Sequence, residues 1–407
     1  EIPKRDWSSD VCSSDLDRGQ IRLTAAHFDH GIRAASSEDA RFVRALCERI
    51  GVGLIEGHSD VPVLARRDGV GMETAARNAR RDFLESARRE TGADVIATAH
   101  HADDQAETVL MHLFRGAGLS GAAGIRPRRG VWVRPLLETR KEDLLRFLVA
   151  LGQDWCTDET NAIPDTPRNA LRSEVLPSVL ALYPGASEAL GRFAKLAGEE
   201  SDLLDELAEE FLSGNGCRID AGLYALNAVD ANRALVRRAL RKLRPETDFG
   251  TLESLTELFF APTGRFHAAG ISAERAGGKL YLIDESFPPE SFLGCLRIRP
   301  AENRPVYQNG FRQILDRAAV ADASLRLRKP GDWISPLGTK GRKSLSDYLT
   351  DRKIDRPLRD RLPILACGSE VMWVVGVGIS GRAALGDNSE AVELTYIPKN
   401  DGGTFEP

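Results

Sequence analysis

The chain has 407 residues, too many for one ordinary hydrophobic core, and this length predicts two or three domains. Its 42% hydrophobic and 28% charged residues are typical of a soluble protein, and no apolar run is long enough for a membrane-spanning helix or a secretory signal. The six cysteines are scattered without a C-x-x-C pair, which excludes a zinc ribbon or a disulfide framework and favours the reducing cytoplasm.

The formal net charge of −5 conceals an uneven distribution along the chain. Residues 326–361 contain eleven Lys and Arg against five Asp, whereas residues 199–210 contain seven acidic side chains and no basic one. The basic surplus suits an anionic partner such as RNA, and an ordinary solvated basic surface is the alternative.

The first residues do not resemble a natural protein. Residues 6–16, DWSSDVCSSDL, match the in-frame translation of a sequencing adaptor, so we predict that residues 1–16 are an artefact and exclude them from fold reasoning. We therefore expect that the native N-terminus is missing and that the chain proper begins near Asp17.

Short apolar segments alternate with helical patterns over the next 130 residues or so. The predicted strands cover residues 21–28, 52–56, 93–99 and 131–134, and the predicted helices cover residues 36–50, 73–89 and 141–151. Such alternation indicates a parallel α/β sheet, in which ligands bind beyond the carboxyl ends of the strands. Residues 27–31 and 100–118 both follow predicted strands.

Residues 100–118, HHADDQAETVLMHLFRGAG, read as the acidic head of an apolar helix. Asp103, Asp104 and Glu107 crowd the first turn, where carboxylates favour the helix dipole. Asp104 and Glu107 are three apart, lie on one face and can share one cation, either an ammonium or Mg²⁺. A solvated acidic first turn is the alternative interpretation.

Two arginines, Arg168 and Arg172, follow a polar loop and are four residues apart. Guanidiniums at this spacing can clamp a phosphate or brace a carboxylate, and two ordinary surface arginines are the alternative.

The remaining chain predicts a helical connector and two smaller domains. A long helix should run from about residue 185 to 212, and residues 220–284 show two helical patterns and one short strand near 280–283. A proline-rich break at 287–290 precedes a third segment, in which the glycines of 376–381 are expected to form a turn between strands. We therefore expect domains at 17–184, 185–286 and 287–407.

Several motifs, taken in order, resemble one family. They are AAHFDHGIR at 25–33, ETAARNARRDFL at 73–84, HHADDQAETVLMHLFRGAGLSG at 100–121, VRPLL at 133–137, RNALRSEVLP at 168–177 and RKPGDWISPLGTKGRKSLSDYLTDRKI at 328–354. Over residues 21–395 the chain resembles tRNA(Ile)-lysidine synthase, of the PP-loop ATP-pyrophosphatase group. The resemblance implies an α/β parallel-sheet PP-loop domain, a helical linker with a second domain, and a small α+β C-terminal domain.

The resemblance also implies a two-step, ATP-dependent ligation assisted by Mg²⁺. The enzyme would adenylate C2 of the wobble cytidine (position 34) in a tRNA-Ile with a CAU anticodon. Free L-lysine would then displace AMP to form lysidine, which switches decoding from AUG to AUA. A cytoplasmic enzyme without a membrane segment is expected, and the resemblance allows a homodimer.

The family's roles can be carried over onto matching positions. Asp104 and Glu107 would bind the lysine ammonium and act in catalysis with Arg168 and Arg172. The nucleotide would be bound by His27, His30, Arg77, Arg80, His100 and Arg115, and the tRNA by Arg328, Lys329, Lys340, Arg342 and Lys343. For His100 and His101, nucleotide binding, proton transfer and a structural role all stay open. No metal ligand is assigned.

One departure from the family bears on activity. The family's phosphate-binding loop, of the form S-G-G-x-D-S, cradles pyrophosphate with backbone amides, and no such sequence occurs in the 407 residues. We therefore expect ATP binding and lysidine formation by the chain as written to be lost or crippled.

Three other interpretations remain open. The first is another PP-loop ligase or a tRNA thiolase, although thiolases of this group commonly add cysteine pairs that are absent here. A metal phosphohydrolase would use His100, His101, Asp103 and Asp104, but it needs further ligands on other helices. The third is a non-catalytic tRNA-binding protein.

Overall fold

The computed structural model describes residues 21–31, 36–156, 166–268, 270–301, 310–339, 341–386 and 389–399. The chain forms two compact units that divide between Ser201 and Asp202. Residues 1–16, predicted to be an artefact, lie outside the described residues. No helix in the described ranges is both long and apolar enough to cross a membrane.

The first unit consists of short strands and longer helices. Its strands are β1 (Thr24–Asp29), β2 (Gly53–His58), β3 (Ile96–Ala97), β4 (Arg128–Arg129) and β5 (Trp132–Val133). Its helices are α1 (Ser36–Ile50), α2 (Val61–Asp68), α3 (Met72–Thr91), α4 (Ala102–Phe114), α5 (Leu119–Ala122), α6 (Lys141–Ala150), α7 (Pro167–Ala170), α8 (Leu176–Leu182) and α9 (Ala186–Asn215), the last of which continues into the second unit.

Two parallel strand pairs form the sheets of this unit. β1 pairs in parallel with β2, and β3 pairs in parallel with β5, which also holds β4 on its other side in antiparallel register. These parallel pairs agree with the predicted parallel α/β sheet. Within the described ranges β1 and β3 do not pair with each other, although helix α3 packs against both.

Helix α3 holds the sheets through small and aromatic side chains. Ala75 and Ala87 are buried, and the Phe83 ring stacks on Phe28 of β1 with ring centroids 5.2 Å apart. Gly57 of β2 lies so close that a Cβ there would be 2.4 Å from the Phe83 ring, so no larger residue fits without repacking. The helix ends at Gly92, whose φ of 66° is the left-handed conformation that closes many helices.

The second unit is richer in strands. Its strands are β6 (Gly216–Asp220), β7 (Leu223–Asn227), β8 (Gly264–Ala268), β9 (Ile271–Ala276), β10 (Lys279–Asp284), β11 (Cys295–Pro300), β12 (Arg312–Asp316), β13 (Ser324–Arg326), β14 (Trp333–Ile334), β15 (Lys343–Ser344), β16 (Ile364–Cys367), β17 (Glu370–Val374), β18 (Gly378–Ile379) and β19 (Ala391–Ile397). Its helices are α10 (Arg233–Leu243), α11 (Phe249–Phe260), α12 (Arg317–Val320), α13 (Leu345–Asp351) and α14 (Arg356–Arg359).

A five-stranded sheet follows the long helix α9, in the order β6-β7-β10-β9-β8, with every neighbouring pair antiparallel. Its core joins Leu226 and Leu280 of the sheet to Leu240 of α10 and Phe259 of α11. The strand predicted near residues 280–283 is confirmed as β10, but the other four strands of this sheet were not predicted. The missed strands are five or six residues long and are defined by pairing across the chain rather than by a strong local pattern.

The last part of the chain adds two more sheets, β11-β19-β12 and a six-stranded one that runs β13-β16-β17-β14-β15 with β18 on β17. Trp373 is fully buried in their core. A buried ion pair connects this part to the five-stranded sheet, because Arg361 Nη1 donates to both carboxylate oxygens of Asp220 at 2.6 Å.

Candidate active site

The head of helix α4 lies just beyond the carboxyl end of β3, where the parallel sheet places ligands. His101 caps the helix, since its Nδ1 accepts from the Asp104 N–H at 3.4 Å. Asp104 Oδ2 in turn accepts from the His101 N–H at 3.1 Å. This reciprocal capping box fixes both side chains and assigns His101 a structural role.

Asp104 and Glu107 meet the two arginines that the sequence singled out. Arg168, on α7, donates from Nε to Glu107 Oε2 at 2.9 Å. Arg172 donates from Nε to Glu107 Oε1 at 2.6 Å, and its Nη2 bridges Glu107 Oε2 at 2.9 Å and Asp104 Oδ1 at 3.0 Å. These four side chains form the cluster that we call the carboxylate–guanidinium cluster.

Burial of Glu107 explains why the carboxylate–guanidinium cluster has so many hydrogen bonds. The Glu107 side chain is only 1% exposed, and a buried carboxylate is costly unless it is paired and hydrogen-bonded. The hydrogen bond to Glu107 is the main cause that raises the pKa of Arg172 above its usual value. Of the two roles proposed for these arginines, the structure therefore shows them bracing carboxylates.

The segment carrying the arginines has an unusual turn. α7 continues into a π-helical turn, Leu171–Val175, before α8 begins. Pro177 has no N–H to donate to the carbonyl of Ser173, so a regular α-helical bond is impossible there and the wider turn accommodates the proline. Arg172 lies within this turn, opposite Glu107.

His100 lies next to the cluster and its ring hydrogen-bonds the Thr98 hydroxyl at 2.9 Å. Burial lowers the pKa of His100 below its usual value, as do the positive charges of Arg134, Arg168 and Arg80, while the Asp104 carboxylate opposes the shift. The imidazole is therefore neutral at pH 7 and offers one donor and one acceptor nitrogen.

A group of cations extends the site beyond this histidine. Arg134, directly after β5, donates to the Arg126 carbonyl at 3.0 Å, and burial together with the charges of Arg129 and Arg77 lowers its pKa. Arg77 and Arg80 are exposed on α3. Sequence reasoning missed Arg134 as a site residue, although its position straight after a predicted strand was the signal available.

Two other polar residues at the start of helix α4 hold neighbouring segments of the chain in place. Asp103 accepts from the Lys141 N–H at 2.9 Å and from the Ser187 hydroxyl at 3.4 Å. Gln105 is buried and holds Ile125 from both sides, accepting its N–H at 2.7 Å and donating to its carbonyl at 3.1 Å. A Cβ at the intervening Gly124, whose φ is 59°, would lie 2.5 Å from the Gln105 oxygen.

The other predicted nucleotide ligands lie elsewhere in the unit. His27 is on β1, and its buried Nε2 has no hydrogen-bond partner among the described residues. The His30 ring contacts Phe28 edge-on at 5.0 Å, and its carbonyl accepts from the Val61 N–H. Arg115 is exposed at the opposite end of α4 from Asp104, about three helical turns away.

The described residues do not build a metal cage. Among them there is no group of three or more His, Cys, Asp or Glu side chains that could hold an ion. His101, Asp103 and Asp104 instead bind one another and the backbone, so the donor set does not fit a metal phosphohydrolase. Mg²⁺ commonly binds through substrate phosphates, and we assign it no ligand among the described residues.

Four of the predicted tRNA-binding residues, Arg328, Lys329, Arg342 and Lys343, line a pocket of about 590 Å³. Arg328 is ion-paired with Asp360 and Lys343 with Asp351, whereas Lys329 and Arg342 are exposed. The Arg342 guanidinium lies 5.6 Å from the centre of the Trp333 ring. Lys340 lies outside the described residues.

Comparisons with known proteins give two family matches and several relatives. A family model for the PP-loop domain matches residues 7–179, starting within the predicted artefact, and a model described as the TilS substrate C-terminal domain matches residues 323–396. The chain is 36% identical to a tRNA(Ile)-lysidine synthase of Thermus thermophilus over 88% of its own length and 64% of that protein. It thus spans less than two thirds of that relative.

Other relatives are covered more completely. The tRNA(Ile)-lysidine synthase of Bacteroides thetaiotaomicron is 30% identical over 92% of this chain and 89% of that protein. That of Geobacter sulfurreducens is 30% identical over 93% and 88%.

Proposed function

Because the chain belongs to the tRNA(Ile)-lysidine synthase family, we propose that it ligates free L-lysine to C2 of the wobble cytidine (position 34) of tRNA-Ile with a CAU anticodon. ATP adenylates the base, the lysine amine displaces AMP, and the resulting lysidine switches decoding from AUG to AUA. In this proposal residues 17–184 form the catalytic domain, 185–286 the connector and second domain, and 287–407 the tRNA-binding domain. The scattered cysteines support a cytoplasmic location, and a homodimer stays a prediction.

The carboxylate–guanidinium cluster is the observation that carries the proposal. Ligation needs anionic groups to recognise the lysine ammonium and cationic groups to stabilise charge on the transferring phosphate. Asp104 and Glu107 supply the first, and Arg168 and Arg172 supply the second, within hydrogen-bonding distance of each other. Substrates held by such a cluster would meet in a fixed orientation, which contributes much of the rate.

The neighbouring cations would hold the nucleotide. The charges of Arg80 and Arg134 both lower the pKa of His100, so the position of this ring favours an anionic ligand. A neutral His100 can donate to a phosphate oxygen or accept from a ribose hydroxyl without adding charge. Mg²⁺ would accompany the ATP phosphates and offset their charge when bound.

The ligation itself is tested by radiolabelled L-lysine incorporation into tRNA, using the chain joined at its N-terminal side to the family's S-G-G-x-D-S loop. We expect ATP-dependent labelling of tRNA-Ile with a CAU anticodon and none of tRNA-Met, which has the same anticodon. Labelling of neither tRNA would contradict the ligation, and labelling of another nucleotide position would point to a different PP-loop enzyme.

The basic pocket of the second unit would bind tRNA phosphates. Lys329 and Arg342 are its exposed cations, and contacts of this kind release counterions and weaken with salt. We expect the double variant Lys329→Gln, Arg342→Gln to bind tRNA more weakly and to make the negative slope of log K against log salt concentration shallower by about 1–2. Filter binding measures this, with the exposed Lys195→Gln as control. An unchanged slope would show that tRNA binds elsewhere.

A further inference from the structure

Glu107 is inaccessible in this structure. Its side chain is 1% exposed, and the two guanidiniums that cover it are 35% and 30% exposed for Arg168 and Arg172. Oε1 accepts one bond and Oε2 accepts two, all from these arginines. A substrate ammonium therefore has no path to this carboxylate while both arginines stay in place.

Asp104 is also engaged on both oxygens. Oδ1 accepts from Arg172 at 3.0 Å, and Oδ2 accepts from the backbone N–H of His101 at 3.1 Å. The neighbouring Asp103 offers no substitute, since Lys141 and Ser187 bind its two oxygens. The two arginines and the His101 N–H thus already donate to every carboxylate oxygen of Asp104 and Glu107, and an added ammonium would have to share or replace these donors.

We infer that Arg172 competes with the substrate amine for Asp104 and Glu107, and that lysine enters by exchange with this guanidinium rather than by addition. The inference rests on the proposed function and goes further, because it makes Arg172 the residue that sets lysine affinity. The exchange breaks the ion pairs of Arg172 and forms ion pairs of the ammonium with the same oxygens.

Exchange of lysine for Arg172 would also couple lysine binding to nucleotide binding. A guanidinium displaced from Glu107 could turn donors toward a phosphate, for which its planar fork is well suited. Arg172 lies in the π-helical turn Leu171–Val175, a type of turn that is frequent at functional sites. Lysine entry would thus deliver positive charge to the nucleotide.

Calorimetric titration of L-lysine into the 407-residue chain tests the exchange without requiring turnover. We expect Arg172→Gln to bind lysine at least about fivefold more tightly than the wild type, because the competitor is removed, and Glu107→Gln to bind it at least about tenfold more weakly. Glu174→Gln removes an exposed charge two residues from Arg172 and serves as the matched control, with affinity unchanged.

The outcomes separate the inference from the function. Equal or weaker lysine binding by Arg172→Gln would overturn the exchange alone, and absence of lysine binding in all four proteins would overturn the proposed substrate as well. If Arg172→Gln does not fold, guanidinium NMR of the wild type replaces it. Addition of lysine should then shift the Arg172 Nε–H signal and speed its exchange with water, and an unchanged signal would refute exchange.

Discussion

Lysine ligation by the 407-residue chain is expected to run at least about a thousandfold slower than ligation by the same chain joined to an S-G-G-x-D-S loop. No such sequence occurs in the chain, and its backbone amides would be the main donors to the pyrophosphate. Loss of even one preorganised donor to developing charge typically costs about 10²–10³ in rate. Pyrophosphate release and lysine incorporation, measured in parallel with enzyme in excess over tRNA, give both rates.

The sheet arrangement indicates where the loop would act. In the part of the chain that the structure describes, β1 and β3 are edges of separate sheets and α3 packs against both, so we expect a strand placed between them to complete one parallel sheet. The loop after it would then emerge at the same carboxyl edge as His30 and His100. A scrambled loop of the same composition is the control. Equal rates with and without the intact loop would contradict the prediction.

Replacing Arg361 by Met is expected to destabilise the second unit by about 3–5 kcal/mol. Its guanidinium is 6% exposed and the Asp220 carboxylate 10%, so the substitution leaves a nearly buried charge without its cation. Replacing both partners, Arg361→Met with Asp220→Leu, should recover most of the lost free energy of unfolding, because no buried charge is then left without a partner. Urea denaturation followed by tryptophan fluorescence measures these differences.

An exposed pair supplies the control for this prediction. Arg317 and Glu390 are ion-paired, with side chains 63% and 71% exposed, and water and salt screen their interaction. Arg317→Met should cost only about 0–1 kcal/mol. If Arg361→Met were no more destabilising than Arg317→Met, the buried pair would not hold the sheets together.

Local pattern was sufficient for much of the fold. The amphipathic spacing predicted a helix at 73–89 and two helical patterns within 220–284, and the structure has helices at Met72–Thr91, Arg233–Leu243 and Phe249–Phe260. The family resemblance drawn from the ordered motifs is confirmed by the relatives, and so is the PP-loop fold class. These features depend on residues that are close in the chain, and they could therefore be predicted from the sequence.

Features that depend on distant pairing were harder to predict. The predicted strand at 93–99 shrinks to Ile96–Ala97, the two residues that lie in parallel register with Trp132 and Val133 of β5. The sequence placed a domain limit at 184, whereas the compact units divide at 201, inside the continuous helix α9. Composition carries no signal for a division within a helix, and the three-domain scheme stays a prediction.

The site shows the same limit. Asp104 and Glu107 could be paired from their spacing on one helix, but their contact with Arg168 and Arg172 joins segments more than sixty residues apart. Nothing in the local sequence distinguished the two roles weighed for these arginines. The ion pairs that these arginines make with Asp104 and the buried Glu107 appear only in the assembled unit, because burial depends on residues that are distant in the chain.

Gln105 has a consequence for how the helix head responds to acidity. Its amide gives the Ile125 backbone one donor and one acceptor at once, the same exchange that a neighbouring β-strand would make. A carboxylate of equal size could make only the accepting half unless it took up a proton. The loop that follows α4 is therefore fastened by a group whose charge does not change with pH, although Asp104 directly precedes this residue and Glu107 lies two residues beyond it.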